Sequence, residues 1–342
     1  MGKLVGALAA AGLVAVAAVV AAPAVRRQRR TMDAIDPELR AREAYLPITF
    51  NPLTVRLRRR RPADPAPDLT GVELRVLHLP PDGGLDGVTV RVCTPTTRAV
   101  PGPAVLYVHG GGYVVGTAES DDGKCARMAR ALGAVVVSVD YRLAPEHPFP
   151  AAHEDCLRAL RWLHAASDSL GIDPSRVAVS GESAGGGLAA GLVQRAVDDG
   201  IPVCFQHLVY PMLDDRTVPR AEEDGSWHAI WTPPSNRFGW ASYLGRAPGG
   251  DEDRPYAVPA RRESLAGMPP TWIGVGEVDL FHDEDVAYAE RLRAGGVECE
   301  LLVVPGMYHA AQRFAPEAPS MVEFERSSAA ALARGLAVTV QA

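Results

Sequence analysis

The sequence predicts an α/β fold: a mostly parallel central sheet flanked by helices, with a helical cap inserted late in the chain. Three observations carry this. Strand-like and helix-like segments alternate from residue 70 onward. The runs at 104–109 and 134–139 are almost wholly apolar, as expected of strands covered on both faces. Residues 213–270 break the rhythm, setting Trp227, Trp231, Trp240 and Tyr243 among Pro and Gly. That stretch is too long for a bare loop in a compact domain, so it should be a lid or cap with short helices of its own.

Taken in order, the chain opens with 19 uncharged residues, 4–22. As a helix they measure about 28 Å against a hydrocarbon core of about 30 Å. Three readings compete. Ala22-Pro23-Ala24 resembles a cleavage site of a secretory signal, which would make the protein secreted. As a membrane anchor, the stretch would be oriented by Arg26, Arg27, Arg29 and Arg30, leaving the body on the cytoplasmic side. The third reading is a docked Ala-rich helix. Residues 26–61 hold eleven Arg against four acidic residues, a net of +7. This collar either holds anionic headgroups or is a solvated linker. The turn-rich stretch 62–67 reads as a joint. The expected organisation is therefore an apolar helix at 1–25, a basic linker at 26–69, and the main domain at 70–342.

Within that domain, 73–79 and 88–93 form an opening antiparallel pair. Strands follow at 104–109, 134–139, 176–180, 204–210, 271–275 and 298–304. Helical periodicity fills 121–132, 153–166, 184–197, 283–293 and 321–335. Right-handed crossovers then bring the parallel strands' C-termini to one edge, where ligands bind.

Composition narrows the function. The 342 residues are 47% hydrophobic and 22% charged, which is globular. The part after residue 61 carries a net −14, which argues against nucleic acid as a partner. Five cysteines at wide spacings, with no C-x-x-C, support neither zinc nor a disulfide framework.

The sharpest motif is Gly181-Glu182-Ser183-Ala184-Gly185, between a strand and a helix. A turn this tight admits no side chain two residues either side of the serine, hence Gly181 and Gly185. It lifts Ser183 to the sheet edge and puts the Ala184 N–H at a helix N-terminus, where negative charge is favoured. The second motif, His109-Gly110-Gly111-Gly112, follows a buried strand. Its glycines let peptide N–H groups approach a ligand, and two of them with Ala184 N–H would make a three-donor oxyanion hole. His109 is expected to fix this loop by hydrogen bonds. Asp279 follows the strand at 271–275 and His309 follows the last strand, so both reach the edge that bears Ser183. The neighbours Asp283 and Asp285 are expected to cap the next helix. The order Ser183, Asp279, His309 is that of a nucleophile, its orienting carboxylate and its base on this architecture.

These residues resemble the hormone-sensitive-lipase-like family of α/β-hydrolase carboxylesterases. The matching motifs are 109–113, the Asp140–Ala151 stretch DYRLAPEHPFPA, 181–186, 276–284 and 306–309, which span most of residues 70–315. The resemblance implies an α/β-hydrolase fold, a Ser183–Asp279–His309 triad, and an oxyanion hole from the N–H groups of Gly111, Gly112 and Ala184. It also implies a cap built from N-terminal helices and a segment after residue 213. Leu280 stands where the family often has Pro, and Ala310 where it usually has Gly. The expected reaction is hydrolysis of a small-molecule carboxylic ester of short to medium acyl chain through an acyl-enzyme, with no metal or cofactor. An amidase or formamidase with the same triad and a non-catalytic small-molecule receptor are the rival readings. Membrane association through 4–22 and the Arg26–Arg61 segment would be an addition to the family pattern. Trp227, Trp231, Trp240 and Phe238 are expected mainly to pack the cap's own core.

Overall fold

A computed structural model describes residues 28–45, 49–59, 66–225 and 227–340. The apolar stretch at 4–22 and most of the joint at 62–67 lie outside the described residues. Among those described, no helix is long and apolar enough to cross a membrane.

Eight strands form one sheet: β1 (Val72–Leu79), β2 (Val88–Pro95), β3 (Gly102–Val108), β4 (Val135–Asp140), β5 (Ile172–Glu182), β6 (Phe205–Val209), β7 (Thr271–Gly276) and β8 (Cys299–Val304), in the spatial order β1-β2-β4-β3-β5-β6-β7-β8. β1–β2 and β2–β4 pair antiparallel, and every later pair is parallel. The predicted strands are thus all present. The clearest difference is β5, which begins at Ile172 and passes an irregular register against β3 between Gly102 and Ala104. The polar run Asp173-Pro174-Ser175-Arg176 hides that start from a hydrophobicity pattern.

Period-two side-chain alternation splits the core into two layers. Ala104, Leu106 and Val108 of β3 face one layer, and Val105 and Tyr107 face the other. The first layer is closed by α3 (Ala151–Ala165), α4 (Ala184–Asp199) and α7 (His282–Ala294). The second is closed by α2 (Asp122–Leu132), α8 (Pro319–Gly335) and N-terminal residues such as Ile35 and Leu39. The cap contains α5 (Thr217–Asp224) and α6 (Pro233–Leu244). Thr232 caps α6 through its hydroxyl, with Pro233 next, a helix start not placed in advance within the 213–270 cap. Before the main domain, 28–34 are helical and α1 (Pro52–Arg59) lies against the body through Val55.

One local expectation fails. Asp283 and Asp285 lie in the first turn of α7, but neither caps it; the N-cap position is Phe281, with no side-chain cap bond. Asp285 is turned inward, fully buried, and neither carboxyl oxygen has a hydrogen-bond partner among the described residues. Helical spacing puts position 285 on the face shared with Tyr288, Ala289 and Leu292, so packing overrides the capping preference.

Candidate active site

Ser183 is set by a turn that no side chain could relax. It adopts φ +54° and ψ −122°, a conformation L-residues avoid. Its N–H donates to Val209 O at 2.9 Å, and its own carbonyl accepts from Met212 N at 2.9 Å. A Cβ at Gly185 would run into the carbonyls of Val108 and His109, and one at Gly181 into the carbonyl of Gly185. The elbow therefore closes directly on the end of β3. A Cβ at Gly110 would approach Glu182 O at 3.1 Å, so the glycine loop abuts the same turn.

The other two residues arrive from the ends of β7 and β8, which are tied together. Glu277 N–H donates to Val304 O at 2.9 Å, Val278 N–H to Met307 O at 3.2 Å, and Gly306 N–H to the Glu277 carboxylate at 3.1 Å. In this frame His309 Nδ1 lies 2.8 Å from Asp279 Oδ2, and His309 Nε2 lies 2.9 Å from Ser183 Oγ. The remaining Asp279 oxygen accepts from Phe281 N–H at 3.0 Å. Phe281 and Tyr210 stand edge-on to the imidazole with centroids at 5.2 and 4.7 Å. Ser183 and His309 are only 7% and 5% exposed, so water reaches them sparingly. The structure thus brings together the three residues that the chain keeps far apart.

Gly111 (φ +124°) and Gly112 (φ +60°) follow the end of β3 next to the elbow. Gly111 O accepts from Val114 and Val115, while the N–H groups of Gly111 and Gly112 take no acceptor among the described residues. Ala184 is the first residue of α4, where N–H groups lack intrahelical partners. His109 Nδ1 lies 2.8 Å from Gly110 O and its ring stacks on Tyr141 at 4.1 Å, while Tyr141 OH donates to His109 O at 2.9 Å. Burial pushes the His109 imidazole below its ordinary value, consistent with a neutral ring that fixes the loop. Tyr141 lies within the 140–151 stretch, which thereby helps hold the glycine loop in place.

Three features were not legible in the chain. Glu182 is buried and paired with Lys124 and, at 2.8 Å, with Arg313. Arg313 lies four residues past His309, so this pair joins the His309 loop to the elbow; burial and the Arg313 charge push the Lys124 ammonium down to about 8. Tyr210 takes a bond from Gln312 and gave no motif signal. Trp231 does more than pack the cap: a Cβ on Gly112 would strike its indole, and its ring lies 6.4 Å from His309. Trp231 Nε1 donates to Asn236 at 3.2 Å, and Phe50 packs on it at 5.3 Å from the N-terminal segment. Trp240, by contrast, is buried against Tyr113 and Tyr243, as cap packing requires. Ala310 sits at φ +59°, the left-handed region where glycine is at ease.

The Gly112 contact makes a direct prediction. Gly112→Ala should lower kcat/KM on a short nitrophenyl ester at least ~10-fold, because the methyl collides with Trp231 in a backbone region only glycine enters freely. Steady-state rates and a far-ultraviolet spectrum of the variant check this; an unchanged rate would place the loop outside the site.

This geometry has counterparts. Residues 105–313 match a family described as alpha/beta hydrolase fold. The chain belongs to the α/β-hydrolase family. Its relatives place it in the hormone-sensitive-lipase-like, carboxylesterase branch. The esterase LipI of Mycobacterium tuberculosis (strain H37Rv) is 40% identical over 256 residues, covering 73% of this chain and 79% of that one. The carboxylesterase NlhH of M. tuberculosis is 37% identical over 315 residues, 88% of this chain and 96% of the other. Among solved structures, a bacterial heroin esterase superposes with a TM-score of 0.80 at 39% identity, covering 90% of this chain and 99% of that one. The matches extend well beyond the motifs, into the cap and the N-terminal segment.

Proposed function

We propose that this α/β-hydrolase cleaves carboxylic esters of short to medium acyl chain, with Ser183 as nucleophile, His309 as base and acid, and Asp279 as the group that orients His309. The observation that carries the reading is the continuous chain of contacts: Asp279 to His309 at 2.8 Å and His309 to Ser183 at 2.9 Å. His309 Nε2 takes the Ser183 proton as Oγ attacks the ester carbonyl. The carbonyl oxygen becomes an oxyanion, held by N–H groups of Gly111, Gly112 and Ala184; each such donor is worth roughly 3–4 kcal/mol in comparable sites. The tetrahedral intermediate collapses, and the alkoxide leaves with the proton from His309. Water, activated by the same imidazole, repeats the sequence and frees the acid. Asp279 holds the proton on Nδ1, leaving Nε2 free to accept, and stabilises the transient imidazolium.

A series of nitrophenyl esters beside a matched anilide tests the reaction. Ester turnover well above amide turnover is expected; amide turnover equal to it would favour the amidase reading. A serine-reactive phosphonate should label Ser183, which a receptor without catalysis would not require. Chain-length selectivity is assigned to Trp231, whose indole stands beside Gly112 and His309 and narrows the space there. Trp231→Ala should shift the preferred acyl chain toward longer esters, read as a change in the kcat/KM profile from acetate to decanoate. A profile of unchanged shape would remove Trp231 from that role.

A further inference from the structure

A short surface helix ordinarily turns its apolar side to the body and its charges to water. α1 divides differently. Two residue pairs spaced four apart lie on separate faces. Val55, 3% exposed, and Arg59 face the body; Arg59 donates to Val114 O at 2.9 Å and to Ala144 O at 2.7 Å, and pairs with Glu146 at 2.9 Å. Leu53 and Leu57 face away, 67% and 60% exposed, and Arg56 beside them is also exposed. Tyr45, just before, is 46% exposed. Of the seven large apolar side chains exposed among the described residues, three are gathered in this one short stretch.

We propose that the outward face of α1 docks on an anionic lipid bilayer, and that esters dissolved in that bilayer reach the active site from there. Charge selects this occupant. The helix has no acidic residue, and its surrounding segment, 26–61, is net +7 on a chain whose remainder past it is net −14. This segment gives an acidic body a favourable approach to an anionic surface. Exposed leucines flanked by arginines are the composition that inserts at a headgroup boundary, whereas two leucines and a tyrosine are far short of the roughly 1,200 Å² a stable protein interface buries. The patch is also adjacent to the chemistry. Phe50, two residues before α1, packs on Trp231, and Phe50 N–H donates to Ser235 Oγ of α6 at 3.0 Å. Trp231 in turn stands against Gly112 and near His309, so the chain leading into α1 packs on the wall of the site.

The docking half stands on its own; the substrate half rests on the ester-hydrolase reading. The test uses the full chain with phosphatidylcholine vesicles, with and without phosphatidylglycerol, comparing the parent with Leu53→Ser/Leu57→Ser. Flotation should show the parent on anionic vesicles, less so in raised salt, and the double variant bound at least ~10-fold more weakly, as expected when two leucines no longer enter the apolar layer. Hydrolysis of a soluble nitrophenyl butyrate should be unchanged in the variant, which shows it folded, while hydrolysis of a long-chain ester carried in the vesicles falls with binding. Equal binding of variant and parent overturns the proposal, leaving attachment to other parts of the chain; so does binding indifferent to phosphatidylglycerol, or no binding by either protein. Loss of vesicle binding in the variant without any ester turnover by the parent would instead sink the hydrolase reading and leave the docking surface standing.

Discussion

Replacing Ser183 with alanine will cut hydrolysis of a short nitrophenyl ester by on the order of 10⁴-fold or more without unfolding the protein. The variant keeps the oxyanion donors and the substrate wall, so a small residual rate over water should persist. It loses the atom that forms the acyl-enzyme, so no burst and no phosphonate adduct should appear. Stability should change little or rise slightly. Ser183 sits at φ +54° whichever side chain it bears, and the bond to His309 is a single contact at 2.9 Å. His309→Ala should cost about as much, and the double variant little more than either alone, because residues that act as one unit are not additive. The measurement is steady-state kinetics on purified variants with mass spectrometry of the labelled chain. Parent-like activity in Ser183→Ala would overturn the assignment.

The second large effect concerns Asp285. Its carboxyl is fully buried with no hydrogen-bond partner among the described residues; burial, then the neighbouring carboxyl groups of Glu284 and Asp279, raise it well above the ordinary carboxyl range. The folded state therefore keeps a proton there that the unfolded chain gives up near pH 4. From about pH 4 upward the folded protein binds the extra proton, so stability falls with rising pH by up to about 1.4 kcal/mol per unit, until the folded-state value is passed. Asparagine has nearly the shape of the protonated acid and never ionises. Asp285→Asn should thus match the parent near pH 4 and become progressively more stable than it toward pH 8. Urea unfolding at a series of pH values measures the difference. A gap independent of pH would mean that Asp285 is solvated or paired in solution.

Much of this fold was legible because its signals are local. β3 and β4 are almost wholly apolar, and the Gly181–Gly185 turn sits where a strand meets a helix. Glycines in the elbow announce themselves because a Cβ there meets backbone, which no rearrangement of side chains can relieve. What stayed hidden depends on partners distant in the chain. The start of β5 is polar and is held by pairing with Gly102. Asp285 looked like a cap because its residue type prefers helix starts, but the face of α7 that must be buried carries it inward.

The chain by itself determined the alternation of elements, the elbow and the glycine loop, since each follows from periodicity or from steric exclusion within a few residues, and it named Ser183, Asp279 and His309 as candidates from their places after strands and from the family resemblance; their contact is a tertiary outcome. Only the tertiary structure decided that Glu182 joins the Lys124 helix to the Arg313 loop, that Trp231 rather than Trp240 stands at the site, and that Leu53 and Leu57 are left facing outward. Those outcomes depend on which surfaces remain uncovered after the layers pack, and no pattern within a single segment encodes what another segment will cover.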